Sequence, residues 1–271
     1  MTDEMLRVSE VDASDVLVLA GDRQHHDPMA AAHGVPGKAL IPVAGVPLLA
    51  HVLKALHAWP RCGRVVVVAP EDPAYRAAAQ QALGQQADLL TWVSARPNLP
   101  ESLDAALALP GFWQTGGVLV TADHALLQPA WLETVRGHWQ RQGGVVITMV
   151  KWSDVMAAFP GSRRTRYRFA DGDLCGANLF AFETEAMHKV LALWRQAQAQ
   201  RKRPWKMVSL LGWGTLARYL AGRLDRAGLV AALSDRLAVG VDIVVLNDGR
   251  AGVDVDNAAD LALVTRVMES A

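Results

Sequence analysis

Short apolar runs alternate with helical stretches through the first half of the chain, and this alternation limits the fold more than any other feature. Val16-Leu17-Val18-Leu19-Ala20 is a continuous apolar run of strand length, as expected for a strand buried on both faces. A helix is predicted over 47–58, then a strand at 64–69 and a helix at 73–83. A strand at 89–93 with a helix at 101–109 follows, then a strand at 117–121 with a helix at 129–142, and a strand at 145–151. Pro47, Pro73 and Pro129 each stand where a helix should begin, the position that tolerates a missing N–H. Repeated strand–helix units of this length predict an α/β fold. Its core would be a mostly parallel, doubly wound, Rossmann-like sheet with helices on both faces and ligands at the carboxyl ends of the strands.

The second half changes character. Stretches 166–169 and 174–182 flank Asp171-Gly172, and 242–246 and 252–255 flank Asn247-Asp248-Gly249. Both read as hairpins, a small antiparallel addition to the sheet. Helices are predicted over 183–200, 205–224 and 258–268. The chain shows no internal repeat and no low-complexity linker, so residues 1–271 read as one domain. Residues 1–150 and 151–271 would form the two halves of that domain.

Lys and Arg number 27, as do Asp and Glu. That balance gives no overall pull toward nucleic acid or an anionic membrane, so phosphate recognition must be local. Cys62 and Cys175 lie far apart without metal-ligand spacing, which fits a reducing cytoplasm. Residues 1–15 lack the apolar stretch of a signal peptide, and no apolar run approaches the about 18 residues of a membrane span.

The strand at 16–20 empties into Gly21-Asp22-Arg23, and a polar loop leads to Lys38 before Ala39-Leu40-Ile41-Pro42-Val43 and the turn Ala44-Gly45-Val46-Pro47. Backbone N–H groups and cations at such a strand end can hold a polyphosphate. Asp123 follows strand 117–121 and suits either a magnesium ligand or a cap. In Val253-Asp254-Val255-Asp256, strand alternation places both carboxylates on one face. One would join Asp123 at a metal, Asp254 ahead of Asp256, and the other would cap the last helix; Asp260 would serve that helix's first turn.

These motifs, in this order, resemble the nucleotidyltransferase family with a glycosyltransferase A-type fold, above all its molybdopterin-guanylyltransferase-like members. The family pattern is a strand, Leu-Ala-Gly, a loop with Arg, a lysine, then Gly-x-Pro into a helix. The resemblance implies transfer of an NMP group from an NTP to a phosphate-bearing acceptor, with Mg²⁺ as cofactor and pyrophosphate released. It implies that Ala20, Gly21, Asp22, Arg23, Lys38, Ser102 and Asp123 bind the nucleotide, Arg23 and Lys38 being the catalytic cations. Asp123 of Thr121-Ala122-Asp123-His124 would hold the metal with Asp254 or Asp256. Gly176-Ala177-Asn178 would line the acceptor pocket, with Arg166 among the arginines at 163–168 gripping its phosphate. The loop 22–37 departs from the family's Gly-x-Gly-Thr-Arg form and inserts His25-His26-Asp27-Pro28.

Other readings remain beside this one. A same-fold glycosyltransferase would show Asp-x-Asp where Asp123 is followed by His124 and Ala125. A non-catalytic nucleotide-binding protein would tolerate the altered loop. A dehydrogenase is disfavoured, since Gly21 does not begin Gly-x-Gly-x-x-Gly. The stretch 205–224, after Arg201-Lys202-Arg203, reads as a core or homodimer face, with a membrane-surface helix as the lesser alternative.

Overall fold

The structure, a computed structural model, describes residues 13–21, 27–199 and 212–270. Strand β1 (Ser14–Leu19) is followed by α1 (Pro28–Ala32), a 3₁₀ turn at Lys38–Leu40, and the small antiparallel pair β2 (Pro42–Val43) and β3 (Val46–Pro47). Ala44 and Gly45 close that pair at φ 48° and 77°, the two positive values that a tight hairpin turn needs. Then come α2 (Leu48–His57), β4 (Cys62–Ala69), α3 (Pro73–Leu83), β5 (Thr91–Ser94), α4 (Leu99–Leu107), β6 (Gly116–Thr121), α5 (Pro129–Gln142), β7 (Val145–Lys151), α6 (Trp152–Ala158), β8 (Leu174–Glu183), α7 (Thr184–Ala199), α8 (Trp213–Leu220), α9 (Arg226–Leu237), β9 (Val241–Leu246) and α10 (Ala258–Glu269).

The main sheet has the order β5-β4-β1-β6-β8-β7-β9. β8 alone runs against the other six, pairing antiparallel with β6 and β7. Strands of both halves of the chain thus share one sheet. Alternation divides the core: Val16 and Val18 face α2 and α5 with Leu53 and Leu132, while Leu17 and Leu119 face Trp113 and Met187. Burial on both faces is why these strands read as unbroken apolar runs. Among the described residues, no helix is long and apolar enough to cross a membrane.

Two predicted hairpins are absent. Residues 166–169 form only the bridge Tyr167–Leu174, because the arginines there go to different partners. Arg164 turns inward to Asp254 and Asp260, whereas Arg166 pairs with Asp173 and stacks on Trp152, so the shared face expected for Arg164, Arg166 and Arg168 does not form. Residues 252–255 are not a sheet strand either: β9 pairs with β7, and Asn247-Asp248-Gly249 opens a 3₁₀ turn, Gly249–Gly252. Asp248 accepts the N–H of Arg250 at 3.0 Å, closing that turn locally. Helices α1, α6 and α9 have no counterpart in the sequence reading. Of the helix predicted over 205–224, only Trp213–Leu220 is helical among the described residues, and Arg201, Lys202, Arg203 and Trp205 lie outside them.

Candidate active site

The carboxyl ends of β1 and β6 lie side by side, Leu19 opposite Thr121, and the candidate site is built over them. Asp123 follows β6 directly. Thr121 Oγ1 donates to its Oδ1 at 2.5 Å, which turns Oδ2 outward. Lys38 opens the 3₁₀ turn anchored by buried Ala39 and Leu40, and its Nζ reaches Asp123 Oδ2 at 2.6 Å and Asp256 Oδ1 at 2.7 Å. The segment after Gly252 is extended, with Val253 and Val255 buried and Asp254 and Asp256 turned outward between them. Carboxylate oxygens of Asp123, Asp254 and Asp256 come within 4.8 Å of one another. The alternation expected of a strand therefore places both acids at the site, although the segment has no ladder partner.

Asp254 is held from two sides. Arg164 Nη1 contacts its Oδ1, and Asn178 Nδ2 donates to its Oδ2 at 2.6 Å. Arg164 Nη2 also donates to the Asp254 carbonyl at 2.9 Å and to Asp260 Oδ1 at 2.6 Å. The cap of α10 is Asn257, whose side chain accepts from the N–H groups of Ala259 and Asp260; it is not Asp256. Asp260 is buried and accepts the Asp256 N–H at 3.1 Å. Sequence reasoning gave Arg164 and Asn178 to the acceptor and did not connect them to Asp254. The available signal was Asn178, a polar side chain two residues after Gly176 in an otherwise apolar stretch.

The charges follow from this geometry. Burial, together with Asp123 and Asp256, pushes the Asp254 carboxyl up to about 6. Burial acts to raise Asp256 as well, but Lys38 and Arg164 outweigh it and hold that carboxyl below its ordinary value. Burial opposes the charge of Lys38, yet Asp123 and Asp256 prevail and raise it. Among the described residues, four carboxylates (Asp123, Asp254, Asp256 and Asp260) meet two cations, Lys38 and Arg164. The excess is two negative charges. His124 contributes none: burial lowers it to about 4, and the neutral ring stacks on Trp131.

The other predicted residues are distributed as follows. Ala20 and Gly21 end β1, and a Cβ on Gly21 would stand 3.2 Å from the Ala95 Cβ. Asp22, Arg23, His25 and His26 lie outside the described residues. Ser102 is buried, and its hydroxyl accepts the Arg96 N–H at 2.8 Å while facing the Asn98 carbonyl at 3.2 Å. It thus shapes the loop after β5. Gly176 is exposed with open space at its Cα, Ala177 is buried, and Arg166 is committed to Asp173 and Trp152. A cavity of about 280 Å³ opens over the carboxyl ends of β4 and β5, between Pro70, Glu71, Arg76, Trp92 and Ser94.

The model of the MobA-like NTP transferase domain matches residues 16–205. The chain belongs to the MobA-like NTP transferase family. Nucleotidyl transfer is the general chemistry of this family. Among solved structures, a hypothetical transferase from Thermus thermophilus is 29% identical, with a TM-score of 0.76 over 92% of this chain and 99% of that one. CMP:2-keto-3-deoxy-manno-octonic acid synthetase complexed with CTP shares the fold at 17% identity and TM-score 0.56, covering 95% and 99% of the two chains. So does 4-diphosphocytidyl-2C-methyl-D-erythritol synthase from Anaerococcus prevotii, at 11% identity and TM-score 0.55, covering 95% and 96%. The sequence has no significant match among curated proteins.

Proposed function

We propose that this NTP transferase moves an NMP group from an NTP to a phosphate-bearing acceptor (a sugar phosphate, an alcohol phosphate or a cofactor precursor) with Mg²⁺ as cofactor and release of pyrophosphate. The observation that carries the reading is the meeting of Asp123, Asp254 and Asp256 within 4.8 Å, with Lys38 spanning two of them. Three carboxylates with surplus negative charge fit a hard divalent ion, which favours oxygen donors. When bound, such an ion supplies charge neutralisation at the phosphate oxygens of the nucleotide.

The protein's own groups do the remaining work. Lys38, kept protonated by its carboxylates, is a permanent cation at the strand ends and suits the triphosphate; Arg23 is the second cation in this reading. The backbone at Ala20 and Gly21 lies along the same edge, and Asp22 joins them at the nucleotide in this reading. Neighbouring strands are about 4.8 Å apart, so the cavity over β4 and β5 stands about 10–15 Å from Asp123. A nucleoside triphosphate can span that distance, and its base would lie in the cavity, next to the loop that Ser102 shapes. The acceptor would enter over Gly176, Ala177 and Asn178, with Arg166 at the rim. Its ionised phosphate oxygen is the nucleophile, so the transfer needs no general base. Two thiols without metal-ligand spacing suit a cytoplasmic enzyme.

Incubating the purified protein with Mg²⁺, each of the four NTPs and a panel of acceptor phosphates should release pyrophosphate in at least one combination. Silence across the panel, with no NTP binding by calorimetry, rules the reading out.

A further inference from the structure

Arg164 comes from an irregular segment, yet its side chain is only 6% exposed. Its guanidinium joins Asp254 Oδ1, the Asp254 carbonyl and Asp260 Oδ1. With Asn178 on Oδ2, both Asp254 oxygens are held by side-chain donors. A carboxylate gripped in this way cannot turn about its own axis. Lys38 differs in kind: it is a point charge on a flexible stem, and it bridges Asp123 to Asp256, whose side chain is 60% exposed. One cation fixes geometry, and the other neutralises charge.

On the nucleotidyl-transfer reading of the site, we propose that Arg164 is a positioning residue. It sets the plane of the Asp254 carboxylate opposite Asp123 and Asp256, so that the three acids stand ready for a divalent ion. Lys38 is the resident cation that the ion displaces from Asp123 and Asp256. A positive charge beside a cation site opposes binding by Coulomb's law, so a buried arginine there helps only through the geometry it imposes. Partners that orient metal ligands in this way are worth about 10–100-fold in metal affinity.

The test is Mn²⁺ titration of the nucleotide-free, full-length protein, with free Mn²⁺ read by electron paramagnetic resonance. Arg164→Lys keeps the charge and loses the fork. It should weaken Mn²⁺ binding by about 10–100-fold while metal-free NTP affinity stays within about twofold. Asp260→Asn, which removes the charge behind Arg164, keeps an acceptor oxygen for the Asp256 N–H and does not touch Asp254, should weaken Mn²⁺ binding to a smaller degree. Lys38→Met should bind Mn²⁺ several-fold tighter than wild type. Folded Arg164→Lys protein with wild-type or tighter Mn²⁺ affinity overturns the positioning role, as does unfolding of both Arg164→Lys and Asp260→Asn by circular dichroism. Unchanged or weaker binding by Lys38→Met overturns the displacement. Wild-type protein that binds no Mn²⁺ removes the metal reading itself, an outcome distinct from these.

Discussion

The backbone N–H of Val255 donates to the carbonyl of Asp123 at 3.0 Å. This one bond docks the segment before α10 onto the end of β6. In an extended segment, neighbours point away from the side taken by the residue between them. Val255 is fully buried, so Asp254 and Asp256 both face outward, next to Asp123. Residues 123 and 254–256 are far apart in sequence, and a main-chain contact brings them into one acidic cluster. The same contact gathers more negative charge than Lys38 and Arg164 neutralise, which makes the cluster costly to fold without a further cation.

Asp254→Asn should therefore stabilise the metal-free protein while abolishing pyrophosphate release. The folded-state pKa of Asp254, about 6, lies above its ordinary 3.8. The folded form holds this proton more tightly than the unfolded form does. Stability from this group is full below about pH 4 and is lost as pH rises through about 6. Wild-type melting temperature without metal should fall across that window, and Asp254→Asn should flatten the fall. Thermal melts at a series of pH values in EDTA would show it; parallel curves for the two proteins would contradict the assignment.

Gly249 is required for close approach. A Cβ there would stand 2.4 Å from the Asp154 carbonyl and 3.1 Å from the Ala158 Cβ. Gly249→Ala pushes the 3₁₀ turn off α6, and the acidic segment begins right after that turn. Overpacking of this kind costs about 1–3 kcal/mol, measurable by urea denaturation, and turnover should fall with it. A neutral effect on both would show that the turn is free to shift.

Neither cysteine should be a nucleophile at neutral pH. Burial, with Asp15 nearby, raises Cys62 to about 12, and burial raises Cys175 to about 11. Only the thiolate reacts, and at pH 8 its share would be on the order of 10⁻⁴ to 10⁻³. Native protein should remain unalkylated by iodoacetamide on mass spectrometry, while urea-unfolded protein takes up two adducts. Rapid labelling of the native form would mean that a site opens.

The sequence displayed the parallel sheet clearly, because strands buried on both faces have no polar positions to blur them: α3, α5 and β7 have the limits that their patterns predict. The acids were legible as well, Asp123 from its place after β6 and Asp254 and Asp256 from their alternation with valine. Partnership was hidden. The turn at 247–249 has the composition of a hairpin, but β9 had already found β7, and the glycine was serving a contact with α6. Arg164 and Arg166 look equivalent in sequence, and only packing against Asp254 and Asp260 in one case, and Trp152 in the other, separates them. Short helices such as α1 and α6 depend on one cap or one tertiary contact and leave little periodic trace.

Asn178 combines backbone and chemistry in a way that separates cleanly by mutation. β8 bulges against β7, since Ile147 pairs with Phe180 and Met149 with Gly176, giving four steps on one strand against two on the other. Asn178 lies within the bulge at φ 38°, a region that asparagine enters more readily than most residues, and the bulge aims its amide at Asp254. Asn178→Gly keeps the backbone and loses the amide, so stability should change by less than about 1 kcal/mol while kcat falls at least tenfold. Asn178→Val adds the penalty of a branched residue in that region, about 1–2 kcal/mol, to the same catalytic loss. Asn178→Asp sets another carboxylate against Asp254, so at pH 7 it should lower stability and turnover together. Melting curves and pyrophosphate release on the three variants distinguish these outcomes, and wild-type turnover by Asn178→Gly would show that the amide serves the bulge alone.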